Sequence, residues 1–220
     1  MGKPLIVRML GRRDYKSTWQ AMQHFTQQRN GDTPNEIWLT EHPAIFTLGR
    51  AGLPEHLLKV SDIPLLQTDR GGQITYHGPG QLIAYTLIDL RRAGFGVRSL
   101  VNRLEQAVIS FLQKTYHIKS EKRHDAPGVY IEQQKIAALG LRVQQGRCYH
   151  GLSLNVAMDL TPFSQINPCG YPDLQVTQLT HFGINETVDH IGQKLIPHLL
   201  HELGESNTYH QSNEPYLITP

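Results

Sequence analysis

Cysteine is scarce in this chain. Only Cys148 and Cys169 occur in 220 residues, which excludes a disulfide-stapled scaffold and leaves two free thiols as the expected state in a reducing compartment. An excess of charge of one sign is also missing. The 21 Lys and Arg against 19 Asp and Glu leave a formal charge of +2, too little for a nucleic-acid binder, and the basic residues form no long run with interleaved aromatics. A mildly basic face could still dock an acidic partner. No stretch approaches the roughly 20 apolar residues that cross a bilayer. The start Met1-Gly2-Lys3-Pro4-Leu5-Ile6-Val7 lacks the apolar block and cleavage site of a signal peptide. The expected location is the cytoplasm, with no membrane partner. Despite 12 histidines there is no H-E-x-x-H and no C-x-x-C, so no metal site is expected. The G-x-x-x-x-G-K-[ST] pattern is absent too, and the glycine-rich segment does not open a helix as a G-x-G-x-x-G loop does. No nucleotide or other cofactor is expected.

A chain that is 39% hydrophobic and 18% charged is an ordinary globular protein, long enough for one sizeable core. One domain over residues 1–204 is expected, with a polar tail at 205–220 on which no structure is forced. Pro4 to Leu10 reads as a strand. Tyr15, Trp19, Met22 and Phe25 then fall on one helical face. Two short β-rich runs, Ile37 to Leu39 and Ala44 to Leu48, are separated by Glu41-His42-Pro43. Arg70 to Gly80 reads as a tight glycine loop before the strand Leu82 to Ile88. A helix carries Val97, Leu100, Leu104, Val108 and Phe111. Val129 to Ile131 is strand-like, and Lys135 to Val143 and Cys148 to Val156 flank Gln144-Gln145-Gly146 as a hairpin. A proline- and asparagine-rich loop spans Asp159 to Asp173. Asn185 then leads a helix whose stripe runs Val188, Ile191, Leu195, Leu199, Leu203.

Few residues can carry chemistry. Cys169 lies in Ile166-Asn167-Pro168-Cys169-Gly170-Tyr171-Pro172, where the prolines hold the backbone and Gly170 permits close approach of a substrate. A lone cysteine is more often packing than catalyst, but buried structural cysteines sit in strands and helices, not in a rigid polar loop. A thiol of pKa about 8.5 is only about 3% ionised at neutral pH, so a nucleophile needs a cation nearby. Lys114 and Lys135 are the candidates. Lys135 opens the apolar run Ile136-Ala137-Ala138-Leu139-Gly140-Leu141, although a strand-end lysine can simply face solvent. The glycine segment could line a narrow slot, with Tyr76 and His77 as its bulky members, or be a turn-rich connection. His77 and His150 share the context Tyr-His-Gly. On the residues alone, a structural role is favoured for both.

Taken together, Arg70-Gly71-Gly72-Gln73-Ile74-Thr75-Tyr76-His77-Gly78-Pro79-Gly80-Gln81, Lys135-Ile136-Ala137-Ala138-Leu139-Gly140, His150-Gly151-Leu152-Ser153-Leu154-Asn155-Val156 and Asn167-Pro168-Cys169-Gly170 resemble the lipoyl(octanoyl) transferases over about Pro4 to Leu203. The resemblance implies an α+β fold, a mixed β-sheet with packed helices like the catalytic domain of biotin and lipoate protein ligases. It implies an acyltransferase of lipoate biosynthesis that takes octanoate from acyl carrier protein. The acceptors it implies are the apo lipoyl domains of 2-oxoacid dehydrogenase complexes and the glycine cleavage H protein. By the same resemblance Cys169 is the acyl-thioester nucleophile and Lys135 lowers its pKa. Arg70, Gly71, Gly72, Gln73, Ile74, Thr75, Tyr76, His77, Ala138, Leu139, Gly140, Gly151, Leu152 and Ser153 line the acyl pocket. Ala138 stands where the family often has serine, and Cys148 matches no family role. Two rival readings remain: an ATP-dependent lipoate or biotin ligase, which would need no cysteine, and a non-catalytic acyl-binding protein.

Overall fold

Side-chain alternation in the central strands decides the layers. In β6 (Gln81–Asp89), Leu82, Ala84 and Ile88 join one core and Ile83, Tyr85 and Leu87 another, because successive residues of a strand point to opposite faces. The adjoining β2 (Glu36–Glu41) divides in the same way, Ile37 and Leu39 against Trp38. Around this pair runs an eight-stranded mixed sheet. Its order is β11 (His210–Ser212), β1 (Ile6–Arg12), β2, β6, β10 (Arg147–Asn155), β9 (Gln134–Gln144), β8 (Val129–Ile131) and β7 (Glu121–Lys122). β1 is parallel to both neighbours, and the other pairs are antiparallel. This computed structural model describes residues 5–59, 61–124, 126–172, 174–205 and 209–212, with the side chain of Cys169 outside the description.

Helix α1 (Tyr15–Gln28) covers the face that carries Trp38, Tyr85 and Tyr149, burying Met22 and Phe25 against them. The Asp14 carboxylate accepts from the Ser17 amide at 2.8 Å and starts the helix. After the single turn α2 (Leu90–Ala93), α3 (Val97–Tyr116) and α4 (Val188–Leu203) cover the opposite face with the predicted leucine-rich stripes. The cap of α4 is Thr187, two residues beyond the expected Asn185, since its hydroxyl accepts from the His190 amide.

A second sheet was not expected. β3 (Ile45–Leu48) pairs with β4 (Leu65–Gln67) and β5 (Ile74–His77), so part of the predicted glycine loop is a strand. Its core joins Phe46, Ile74 and Tyr76 to Phe163 and Ile166. The tail is not wholly irregular either, because His210–Ser212 adds a parallel strand beside Ile6 to Arg8. Residues 206–208 and 213–220 lie outside the description. Among the described residues, no helix is long and apolar enough to cross a membrane.

Candidate active site

The hairpin of β9 and β10 turns at Gln145 and Gly146, both with positive φ, the geometry a two-residue connection requires. Its register sets Ala138 opposite Ser153, Leu139 opposite Leu152 and Gly140 opposite Gly151. Glycine is needed at position 151, because a Cβ there would lie 1.9 Å from the Ala84 carbonyl oxygen. At Gly140 the glycine segment comes down onto β9: the Gly71 amide donates to the Leu141 carbonyl at 2.9 Å, and a Cβ on Gly140 would stand 3.1 Å from the Gly71 oxygen.

Between this floor and β5 opens a cavity of about 480 Å³, counted out to its open mouth. All the pocket residues predicted from the sequence line it except Gly71 and Tyr76. Gly71 spends its backbone on β9. Tyr76 lies on the far side of β5, its ring 5.6 Å from Phe46 and 5.5 Å from Phe163, because alternate strand residues face opposite ways. Tyr15, Ile83, Tyr85 and His150 complete the lining. Arg70 is buried and works largely as a clamp on the loop, donating to the carbonyls of Gly71 at 3.0 Å and Gln73 at 2.8 Å and to the Thr47 hydroxyl.

A second cavity of about 280 Å³ abuts the first, sharing Thr75, Ala138 and Ser153. Lys135 lines it. This lysine does not face solvent, being only 3% exposed. Its backbone bridges to the 175–177 segment, the amide donating to the Gln175 carbonyl at 2.9 Å and the carbonyl accepting from the Thr177 amide at 3.0 Å. Nζ donates to the Pro127 carbonyl at 3.1 Å and lies 5.3 Å from the Tyr130 ring centroid, contacts that offset the cost of burying an ammonium. Gly128 makes room for it, since a Cβ there would come within 3.0 Å of Lys135 Cε.

Pro168 lines the same cavity as Lys135. It opens the helical turn Pro168–Gly170, held by the Asn167 amide on the His56 carbonyl at 2.8 Å and the Gly170 amide on the Asn167 carbonyl at 2.9 Å. The predicted nucleophile Cys169 lies in this turn with its side chain outside the description. Cys148 is packing: it is fully buried in β10, and burial pushes its thiol up to about 12.

Around and behind the lining run polar networks whose pairings went unread in the sequence. The Asp69 carboxylate accepts from Trp19 Nε1 at 2.8 Å, Gln23 Nε2 at 3.2 Å, His150 Nε2 at 2.9 Å and the Tyr149 hydroxyl. Burial opposes its charge, yet these donors outweigh it and hold the carboxyl well below the usual range. His42 donates from Nδ1 to the Arg13 carbonyl and accepts the Tyr85 hydroxyl at Nε2, both at 2.7 Å. Burial lowers its pKa to about 4. His77, lowered by burial to about 3, donates from Nδ1 to Gln81 Oε1 at 2.7 Å. Gln81 Nε2 passes the chain to Asn155 Oδ1 at 2.9 Å, and Asn155 Nδ2 donates to the Thr177 carbonyl at 2.9 Å. Thr177 is the residue whose amide meets Lys135, so neutral hydrogen bonds link the two cavities from behind. No group of three or more His, Cys, Asp or Glu suited to a metal occurs among the described residues.

Residues 14–200 match the lipoyl protein ligase A/B catalytic domain. An octanoyltransferase of Chromobacterium violaceum is 56% identical over 203 residues, covering 92% of this chain and 98% of that one. Among solved structures, lipoate-protein ligase A bound with ATP superimposes with a TM-score of 0.77 at 14% identity, covering 97% of this chain and 90% of the other. The biotin protein ligase of Aquifex aeolicus gives 0.55 at 13% identity, covering 93% and 70%. The fold is therefore the expected biotin and lipoate ligase catalytic fold. With this fold, and matched along nearly its whole length by such relatives, the chain belongs to the octanoyltransferases of the lipoyl protein ligase A/B catalytic domain family.

Proposed function

We propose that the chain moves an octanoyl group from acyl carrier protein to a lysine of an apo lipoyl domain, by way of a thioester on Cys169. The observation that carries the reading is the placement of Lys135: this buried lysine and Pro168, the neighbour of Cys169, wall one cavity that shares Thr75, Ala138 and Ser153 with a slot of about 480 Å³. A cation there stabilises the thiolate.

In the first step the Cys169 thiolate attacks the donor thioester carbonyl; the new carbon–sulfur bond forms, and the carrier leaves as its thiolate and takes up a proton. Backbone N–H groups near Cys169 or Gly140 hold the oxyanion. Lys135 supplies the proton that the leaving carrier thiolate takes up and is left neutral, so in the second step it takes the proton of the attacking lipoyl-domain lysine and returns to its charged form, unless the departing Cys169 sulfur takes that proton instead. The amide forms, and Cys169 is released. A thioester is already activated, so no ATP is consumed. Burying the seven carbons beyond the carbonyl contributes on the order of 5 kcal/mol at about 0.8 kcal/mol per methylene.

The lipoyl domains of 2-oxoacid dehydrogenase complexes and the glycine cleavage H protein are the acceptors in this reading. Incubation with octanoyl-loaded acyl carrier protein and an apo lipoyl domain, without ATP, tests it. Octanoylation of the acceptor supports it, and a strict need for ATP assigns the chain to the ligases.

A further inference from the structure

An acyl thioester has two arms, the acyl chain on one side of the reacting carbonyl and the thiol-bearing chain on the other. The slot and the Lys135 cavity together account for the first arm alone. Outside them lies an open groove of about 820 Å³ that shares Phe163, Pro168 and Val176 with the Lys135 cavity. Slot, cavity and groove therefore adjoin in that order, with Pro168 in the wall between cavity and groove.

The lining of the groove is mixed. Leu58, Leu160 and Leu174 share its wall with Asn167, Gln175 and Ser164; Asn167 Nδ2 also lies 3.3 Å from His56 Nδ1, and the Ser164 hydroxyl donates to the Thr161 carbonyl at 2.8 Å. Leu58, 52% exposed, presents an apolar side chain in the wall of the groove that solvent or a bound chain can reach. The Leu58 and Lys59 amides both donate to the Gln165 carbonyl, at 2.8 and 3.3 Å, which sets the exposed Lys59 next to the groove residues Leu58 and Ser164 in the fold.

Resting on the transferase reading above, we propose that this groove holds the thiol arm of the donor, a pantetheine-type chain of short methylene runs joined by amides, with its phosphate outward at Lys59. Leucines match the methylenes, amide side chains match the arm's peptide groups, and a cation matches the phosphate. An acceptor lysine is a poorer occupant, because its plain four-methylene stem needs no amide partners along the way.

The test compares three donors: octanoyl-phosphopantetheine, octanoyl-pantetheine and the octanoyl thioester of ethanethiol, which has no arm. Ser164→Trp and Leu58→Trp fill the groove from two exposed positions. Each is expected to lower kcat/KM about tenfold for both armed donors, leaving the ethanethiol thioester within about twofold and the KM for the lipoyl domain unchanged. Lys59→Glu is expected to raise KM about fivefold for the phosphorylated donor alone. An equal loss with all three donors overturns the proposal. So does a change confined to the KM of the lipoyl domain, which would give the groove to the acceptor. Should the unmodified protein transfer acyl neither from octanoyl-loaded acyl carrier protein nor from any of these thioesters, the transferase reading itself has failed; transfer from the loaded carrier protein with no difference among the three small thioesters overturns the groove assignment alone.

Discussion

Lys135 donates its ammonium proton to the Pro127 carbonyl at 3.1 Å while standing in the wall of the cavity that Pro168 also lines. This sets the lysine side chain in a cavity whose wall also holds Pro168, the residue next to Cys169 in sequence. Lys135→Met keeps the stem and removes the charge. With the thiol returned to a pKa of about 8.5, only about 3% is thiolate at pH 7, so acyl-enzyme formation should slow roughly thirtyfold. The thiolate fraction then rises about tenfold per pH unit below that pKa. Single-turnover rates from pH 6.5 to 9 should show the gap to the unmodified protein narrowing as pH rises; a pH-independent deficit would count against the role of charge.

Chain length should be read along the slot. A hexanoyl donor buries two fewer methylenes than octanoyl, about 1.6 kcal/mol, so kcat/KM should fall roughly fifteenfold. Competition between the two donors measures this ratio directly, and a ratio near one would mean that the acyl chain lies elsewhere.

Gly151→Ala puts a methyl carbon 1.9 Å from the Ala84 carbonyl oxygen. Since that atom is backbone in the middle of the main sheet, β6 and β10 must part locally. A destabilisation of about 1–3 kcal/mol or more is expected from urea unfolding, and Gly94→Ala, where nothing lies within 4 Å, is the reference, its own cost being that of a positive φ.

Acid should weaken the fold in a defined window. His42 and His77 have pKa values lowered from 6.5 to about 4 and about 3, so between these values the unfolded chain binds protons that the folded protein refuses. Their contribution is complete above pH 6.5 and declines as pH falls toward 4 and 3. The depressed Asp69 carboxyl acts in the same direction at still lower pH, as it loses its charge. The urea midpoint should therefore drop between pH 7 and pH 4.5, and His77→Gln should flatten that slope. An unchanged slope in His77→Gln would show that His77 is not held neutral.

Much of this was legible in the chain, and for local reasons. The hairpin was readable because alternation in Lys135 to Val143 and Cys148 to Val156 is interrupted at Gln145 and Gly146. The slot was legible through its glycines, which mark where backbones meet. What was missed is what only tertiary packing brings together. Asp69 draws partners from Trp19, Gln23, Tyr149 and His150, up to 81 residues away, and no local pattern announces them. His42 sat in view in Glu41-His42-Pro43, but its partner Tyr85 lies on a strand 43 residues on. β5 passed for loop because Ile74–His77 is only four residues long between glycines. Tyr76 was assigned to the pocket with the whole segment Arg70 to His77 by the family resemblance, whereas the pleat turns its ring toward Phe46 and Phe163.

The most direct measurement is intact-protein mass after mixing the chain with octanoyl-loaded acyl carrier protein, without ATP. The account predicts one octanoyl group on the protein, released by hydroxylamine and absent from Cys169→Ala, which transfers nothing to a lipoyl domain. A Cys169→Ala protein that still octanoylates the domain would contradict it.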